Sequence, residues 1–125
     1  MKSRNSVGHG ILAVAFALML VWAVGCHSHH IDVTVENRTG EAIQLLEVDY
    51  PSASFGADKL AAGEILRYRI MVRGNGPLKL EYARSGGRQT QITGTSLTER
   101  QEGHIQIVLL PDGTARFYPK LAPPA

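Results

Sequence analysis

The chain of 125 residues holds a single cysteine, Cys26, which excludes any internal disulfide, so a folded body here must stand on its own apolar core. Aromatic residues supply 6% of the chain, and the one tryptophan, Trp22, falls in the N-terminal apolar run. No charge sign dominates, with 13 Lys and Arg against 11 Asp and Glu. Lys2 and Arg4 account for the excess: from Cys26 onward the two signs balance. The pI near 8.9 is therefore an end effect, and nucleic acid is not implied as a partner. Long apolar runs are missing too. The run Ile11–Val24 would make a helix of about 21 Å, short of the ~30 Å hydrocarbon core of a bilayer. No internal repeat or low-complexity segment is present, and no apolar pattern of helical period follows Cys26.

What is there begins with an address. A basic start (Lys2, Arg4), a short apolar stretch and small residues before Cys26 form the three parts of a secretory signal. A twin-arginine pair is absent, which leaves general secretory export. The segment Ala23-Val24-Gly25-Cys26 resembles the lipobox of bacterial lipoproteins, with Ala23 where leucine is commoner. That resemblance covers residues 1–26. It implies cleavage behind Gly25 and a diacylglyceryl group on the sulfur of Cys26. Lipidation would also remove the liability of an unpaired exported thiol. Two or three acyl chains, at about 0.8 kcal/mol per buried methylene, would hold such a protein on a membrane essentially permanently. The residue after the lipid site is His27, whereas lipoproteins kept in the inner membrane of enteric-type bacteria usually carry Asp there. The resemblance thus favours the outer membrane, facing the periplasm, in a cell that has one.

The mature part alternates with a period of two. Ile31, Val33 and Val35 share one face; Leu66, Tyr68, Ile70 and Val72 a second set; Leu78, Leu80 and Tyr82 a third; Ile105, Ile107 and Leu109 a fourth. Weaker strands are predicted at 43–50, 88–93 and 114–118, with consecutive Leu45 and Leu46 suggesting a bulge or a change of face. Turn chemistry separates them at Asn37–Gly40, Gly74–Pro77, Ser85–Gly87 and Pro111–Gly113. The expected fold is all-β: an immunoglobulin-like, two-sheet antiparallel sandwich of about seven strands after an N-terminal signal helix, with a barrel as the alternative. The strand order, the Asn-x-Thr-Gly turn and the final Gly-x-Ile-x-Ile strand look like the immunoglobulin-like domains of bacterial lipoproteins. The disulfide and buried Trp of antibody domains are lacking. The domain organisation follows: signal peptide 1–25, lipidated Cys and tether 26–30, sandwich 31–118, and a Pro-rich flexible tail 119–125.

Four features bear on function. His27, His29 and His30 could hold Cu²⁺, Ni²⁺ or Zn²⁺, which makes membrane-tethered metal capture the alternative to a plain polar tether. Arg67, Arg69 and Arg73 form an outward stripe that could meet anionic lipid or an envelope polymer, or serve as a solvated face shared with Glu64, Lys79 and Glu81. Phe55, in what reads as a loop at 51–63, either anchors a partner protein or folds back over the core. His104 is the one histidine within the sandwich, but no Gly-x-Ser-x-Gly elbow accompanies Ser52, Ser54, Ser85 or Ser96, and an enzyme is not expected. No cofactor is implied.

The reading is a lipid-anchored cell-envelope protein acting as a non-catalytic binding or structural module. Its leash, His27–His30, spans about 14 Å at most. If the predicted strands alternate in direction, loops 51–63, 85–87 and 111–113 lie toward the membrane. Loops 37–42, 74–77 and 94–103 and the C-terminus then point away.

Overall fold

The computed structural model describes residues 28–123. Residues 1–25, which the sequence reads as a signal peptide, the Gly25–Cys26 junction and His27 lie outside the described residues. Eight strands follow: β1 (Ile31–Asn37), β2 (Ile43–Tyr50), β3 (Ala53–Leu60), β4 (Ile65–Ile70), β5 (Gly76–Ala83), β6 (Gln89–Leu97), β7 (Glu102–Leu109) and β8 (Ala115–Ala122). They form two four-stranded sheets with spatial orders β4-β1-β7-β8 and β3-β2-β5-β6. The two-sheet β-sandwich expected from the alternation is what the chain adopts. It has one strand more than expected and one parallel pair, β1 with β7, in place of a wholly antiparallel pattern.

Side-chain alternation builds the core directly. Ile31, Val33 and Val35 of β1 point inward beside Ile105, Ile107 and Leu109 of β7, and meet Leu78, Leu80 and Tyr82 of β5 from the facing sheet; all nine are essentially buried. Each such aliphatic side chain contributes about 1.5–3 kcal/mol relative to exposure, and their contiguity makes a single core. In β2 the extra residue is Leu45, with φ of 52° and 68% exposure. The register with β5 shifts between Gln44 and Glu47, which lets Ile43, Leu46 and Val48 all remain buried.

The added strand is β3, where the sequence reads as a loop. Ala-Ser-Phe-Gly-Ala-Asp-Lys-Leu has two large apolar residues, and its Gly and Asp disfavour strands, so local preference hides it. Pairing with β2 supplies what propensity does not. Phe55 lies opposite Val48, and Gly56 lies opposite Glu47, where a Cβ would stand 2.0 Å from the carbonyl oxygen of Leu46. Phe55 is buried and stacks on Tyr68 of β4, centroids 4.6 Å apart, closing one side of the sandwich. The other side is closed by Phe117 of β8, whose ring occupies the space a Cβ on Gly94 of β6 would need.

One more strand reverses every strand after it. β4 runs antiparallel to β1 and β7 parallel to it, so four of the six expected loops change ends. The end at which Ile31 enters carries the turn at 51–52, the loop 71–75, the turn 98–101 and the end of β8. The far end carries 38–42, 61–64, 84–88 and 110–114. Loop 37–42 lies far from Ile31 as expected. Loops 85–87 and 111–113 are corrected to the far end, and 74–77 and 94–103 to the near end. The sequence also ends the domain early: residues 119–122, read as a flexible tail, complete β8 by pairing with Glu102–Ile105. Pro119 is tolerated because β8 is an edge strand, where a missing N–H breaks no ladder bond.

The far end is fastened by a buried amide. Asn37, 0% exposed, donates from Nδ2 to the carbonyls of Glu41, Leu60 and Ala61, and its Oδ1 accepts from the backbone N–H and hydroxyl of Thr39. Its own backbone N–H donates to Glu64 and its carbonyl accepts from Gly63. One side chain thereby joins the β1–β2 and β3–β4 connections. A buried amide left without these partners would cost about 1–3 kcal/mol per orphaned group.

Candidate functional site

The candidate residues distribute over the near end and the two outer faces. At the near end His29 Nδ1 lies 2.7 Å from Glu102 Oε1, and the carbonyl of His30 accepts from the N–H of Gly103 at 3.2 Å. The two residues before β1 are thus fixed to the start of β7. His29 and His30 are each half-buried. Among the described residues no three His, Cys, Asp or Glu side chains are grouped to hold a metal ion; His27, the third imidazole of the sequence reading, lies outside them.

The outer face of the first sheet carries more basic than acidic side chains. Register puts Arg69, Asp32, His104 and Lys120 in one row across the four strands, Arg67, Thr34, Gln106 and Tyr118 in the next, and Ile65, Glu36, Val108 and Arg116 in the third. Arg69 Nε donates to Asp32 Oδ1 at 2.9 Å. That bond, reinforced by the guanidinium charge and by His30 and His104, holds the Asp32 carboxyl below its ordinary range. Arg67 and Arg69 belong to this face, whereas Arg73 sits beyond β4 in the 71–75 loop, where its N–H donates to Ser52 Oγ. Lys79 and Glu81, expected beside the arginines, lie instead on the outer face of the other sheet. The reason is that β4 and β5, successive in the chain, belong to different sheets.

That second face is acidic. Pairing of β2 with β5 sets Glu47 opposite Glu81 and Asp49 opposite Lys79. The Asp49 charge, first among several causes, raises the Glu47 carboxyl above its ordinary range, with Glu81 adding to it. Glu81 accepts from the amides of Gln89 and Gln91 on β6. A shallow depression of about 460 Å³ beside them is lined by Asp49, Lys79, Glu81, Gln91 and Thr93. The sequence gives no sign of this grouping, because its members come from three strands and only the register unites them.

No protein-family model matches the chain, and no curated protein matches it. Its fold is similar to that of a protein from Eubacterium rectale solved by NMR, with a TM-score of 0.53 over 72% of this chain and 87% of that one. At 9% identity the likeness concerns the sandwich alone.

The remaining sequence candidates resolve by position. Of the two roles open to Phe55, the structure shows the buried one, at 6% exposure, within a strand instead of a loop. His104 stands on the outer face of the first sheet, while Ser54 stands on that of the second, opposite Asp49. Ser85, at the far end, donates to Glu41 Oε2 at 2.7 Å. The serines weighed as nucleophiles are therefore spread over the molecule.

Proposed function

We propose that the chain is exported, cleaved behind Gly25 and lipidated on Cys26, and that its sandwich serves without catalysis as a binding or structural module close against a membrane. The observation that supports this reading is the placement of Ile31. It opens β1, an interior strand of the first sheet, a few residues after the lipobox-like Ala23-Val24-Gly25-Cys26. With His30 tied to Gly103 and His29 to Glu102, only His27 and Ser28 are left to pay out, about 7 Å of chain.

On this reading the loops 71–75 and 98–101 face the lipid. The far end, with 38–42, 84–88 and 110–114, faces outward and meets an envelope protein or polymer. Mass spectrometry of the product purified from bacterial membranes tests the anchor. The expected species begins at Cys26 and carries the mass of a diacylglyceryl group, and Cys26→Ser abolishes it. A product that retains residues 1–25 with an unmodified thiol overturns the proposal. Biotin labelling of single introduced cysteines on intact membrane vesicles tests the orientation. Ready labelling at 84–88 with shielding at 71–75 is expected, and the reverse pattern sinks it.

A further inference from the structure

Four strands form the open margins of the two sheets: β4 and β8 in one, β3 and β6 in the other. An exposed strand edge invites pairing, and proteins block it with charges, proline, irregular geometry or a cover. Three of the four margins carry charges. β4 carries Arg67 and Arg69; β8 carries Arg116, Pro119 and Lys120; β3 carries Asp58 and Lys59. β6 differs. Its nine residues, Gln-Thr-Gln-Ile-Thr-Gly-Thr-Ser-Leu, include no charge and no proline. Gln89, Gln91 and Thr93 are exposed, and they belong to the stretch that stays in unbroken register with Lys79–Ala83 before the shift at Gly94.

We infer that β6 is the site of self-association: a second copy of this chain adds its own β6 antiparallel about a twofold axis at Gln91. A twofold contact opposes a strand to itself, so any charged residue near the axis meets its own sign. β4 would set arginine against arginine around its centre. β6 sets Gln91 against Gln91 and Gln89 against Thr93, uncharged pairs of amides and hydroxyls, with the nearest carboxylate, Glu81, one strand back on β5 and held by the amides of Gln89 and Gln91. Backbone groups that now face solvent gain strand partners, and the β3-β2-β5-β6 sheet continues into its copy. Five residues a side bury well under the roughly 1,000 Å² of a stable dimer, so the association is weak and reversible. It does not depend on the lipid anchor.

Oxidative cross-linking of the full chain, purified in detergent with Cys26→Ser so that an introduced thiol is the sole one, tests it. At the axis, Gln91→Cys brings two Cα atoms to about 4.5–5.5 Å, inside the disulfide window. Its covalent dimer is expected to form about ten times faster than that of Arg67→Cys, which meets its copy only by collision. Gln89→Cys alone should stay monomeric, because its two copies lie about 13 Å apart in this register. An equal mixture of Gln89→Cys and Thr93→Cys chains should cross-link at about half the rate of Gln91→Cys, because only mixed pairs bring the two thiols together. Matching thermal melts establish that each variant is folded. Equal rates for Gln91→Cys and Arg67→Cys overturn the inference. So does self-cross-linking of Gln89→Cys as fast as that of Gln91→Cys, or capture of an unrelated protein at Cys-substituted Gln91 without a homodimer.

Discussion

The two ends of the sandwich are held by different physics. At the far end a buried amide is satisfied by its neighbours, and a half-buried arginine flanks it. Asn37 serves three carbonyls, Thr39 caps it, and Arg84 Nε donates to Glu41 while Arg84 Nη1 donates to the carbonyl of Pro111. At the near end His29–Glu102 is half-buried, and the other side-chain cross-links are exposed: Ser52 to Met71 and Arg73, Glu99 to Asn75, Arg69 to Asp32. Buried bonds are expensive to lose because the orphaned group has no water to turn to, while exposed ones are replaced by solvent. The end at which Ile31 enters is thus the easier one to rearrange, and the end around Asn37 is the more rigid.

The sharpest way to break this comparison is Asn37→Asp, which keeps the shape but turns an amide donor into a carboxylate facing carbonyl oxygens. It is expected to cost about 3–5 kcal/mol in urea denaturation, or to prevent folding. Arg84→Ala should come next, at about 1–2 kcal/mol, since it leaves the Pro111 carbonyl and Glu41 to solvent in a half-buried setting. At the near end Ser52→Ala should fall within about 0.5 kcal/mol of the parent, as exposed substitutions do. A Ser52→Ala loss as large as that of Arg84→Ala would erase the distinction between the ends.

Two carboxylates sharpen it through pH. Hydrogen bonds from Ser85 and Arg84 hold the Glu41 carboxyl below its ordinary range. Its support for the far end is therefore present above the carboxylate range and lost as pH falls through its lowered pKa. Glu47, raised chiefly by Asp49, behaves oppositely: the folded state is favoured while Glu47 is protonated and loses that advantage as pH rises through its raised pKa. Melting temperatures should show Glu41→Gln less stable than the parent at neutral pH, and Glu47→Gln more stable. Both differences should close in acid below the carboxylate range.

Legibility followed the strength of local patterning. Ile31–Val35 and Ile105–Leu109 announce buried strands because alternation and β-branching agree there. Leu45-Leu46 announced the bulge because two large apolar residues in succession cannot both face one core. β3 was not legible, since Gly56 and Asp58 are poor strand formers and a margin strand draws its stability from its neighbour. The acidic group Glu47, Asp49 and Glu81 was equally hidden, being a product of cross-strand register. The alternation puts Arg67 and Arg69 on one outward face, and they lie there. Their supposed neighbours Lys79 and Glu81 do not, because the chain changes sheets between β4 and β5.

From the linear chain alone came the sheet class, the identity of the core residues and the stretch 1–26 that resembles a lipoprotein leader, all of which rest on composition and period within a few neighbouring positions. Strand direction, the assignment of loops to ends, the opposite charge of the two faces and the place of the one uncharged strand at a sheet margin were decided only by the tertiary pairing. A single additional strand of weak local preference reverses everything downstream of it, and no short-range signal carries that information.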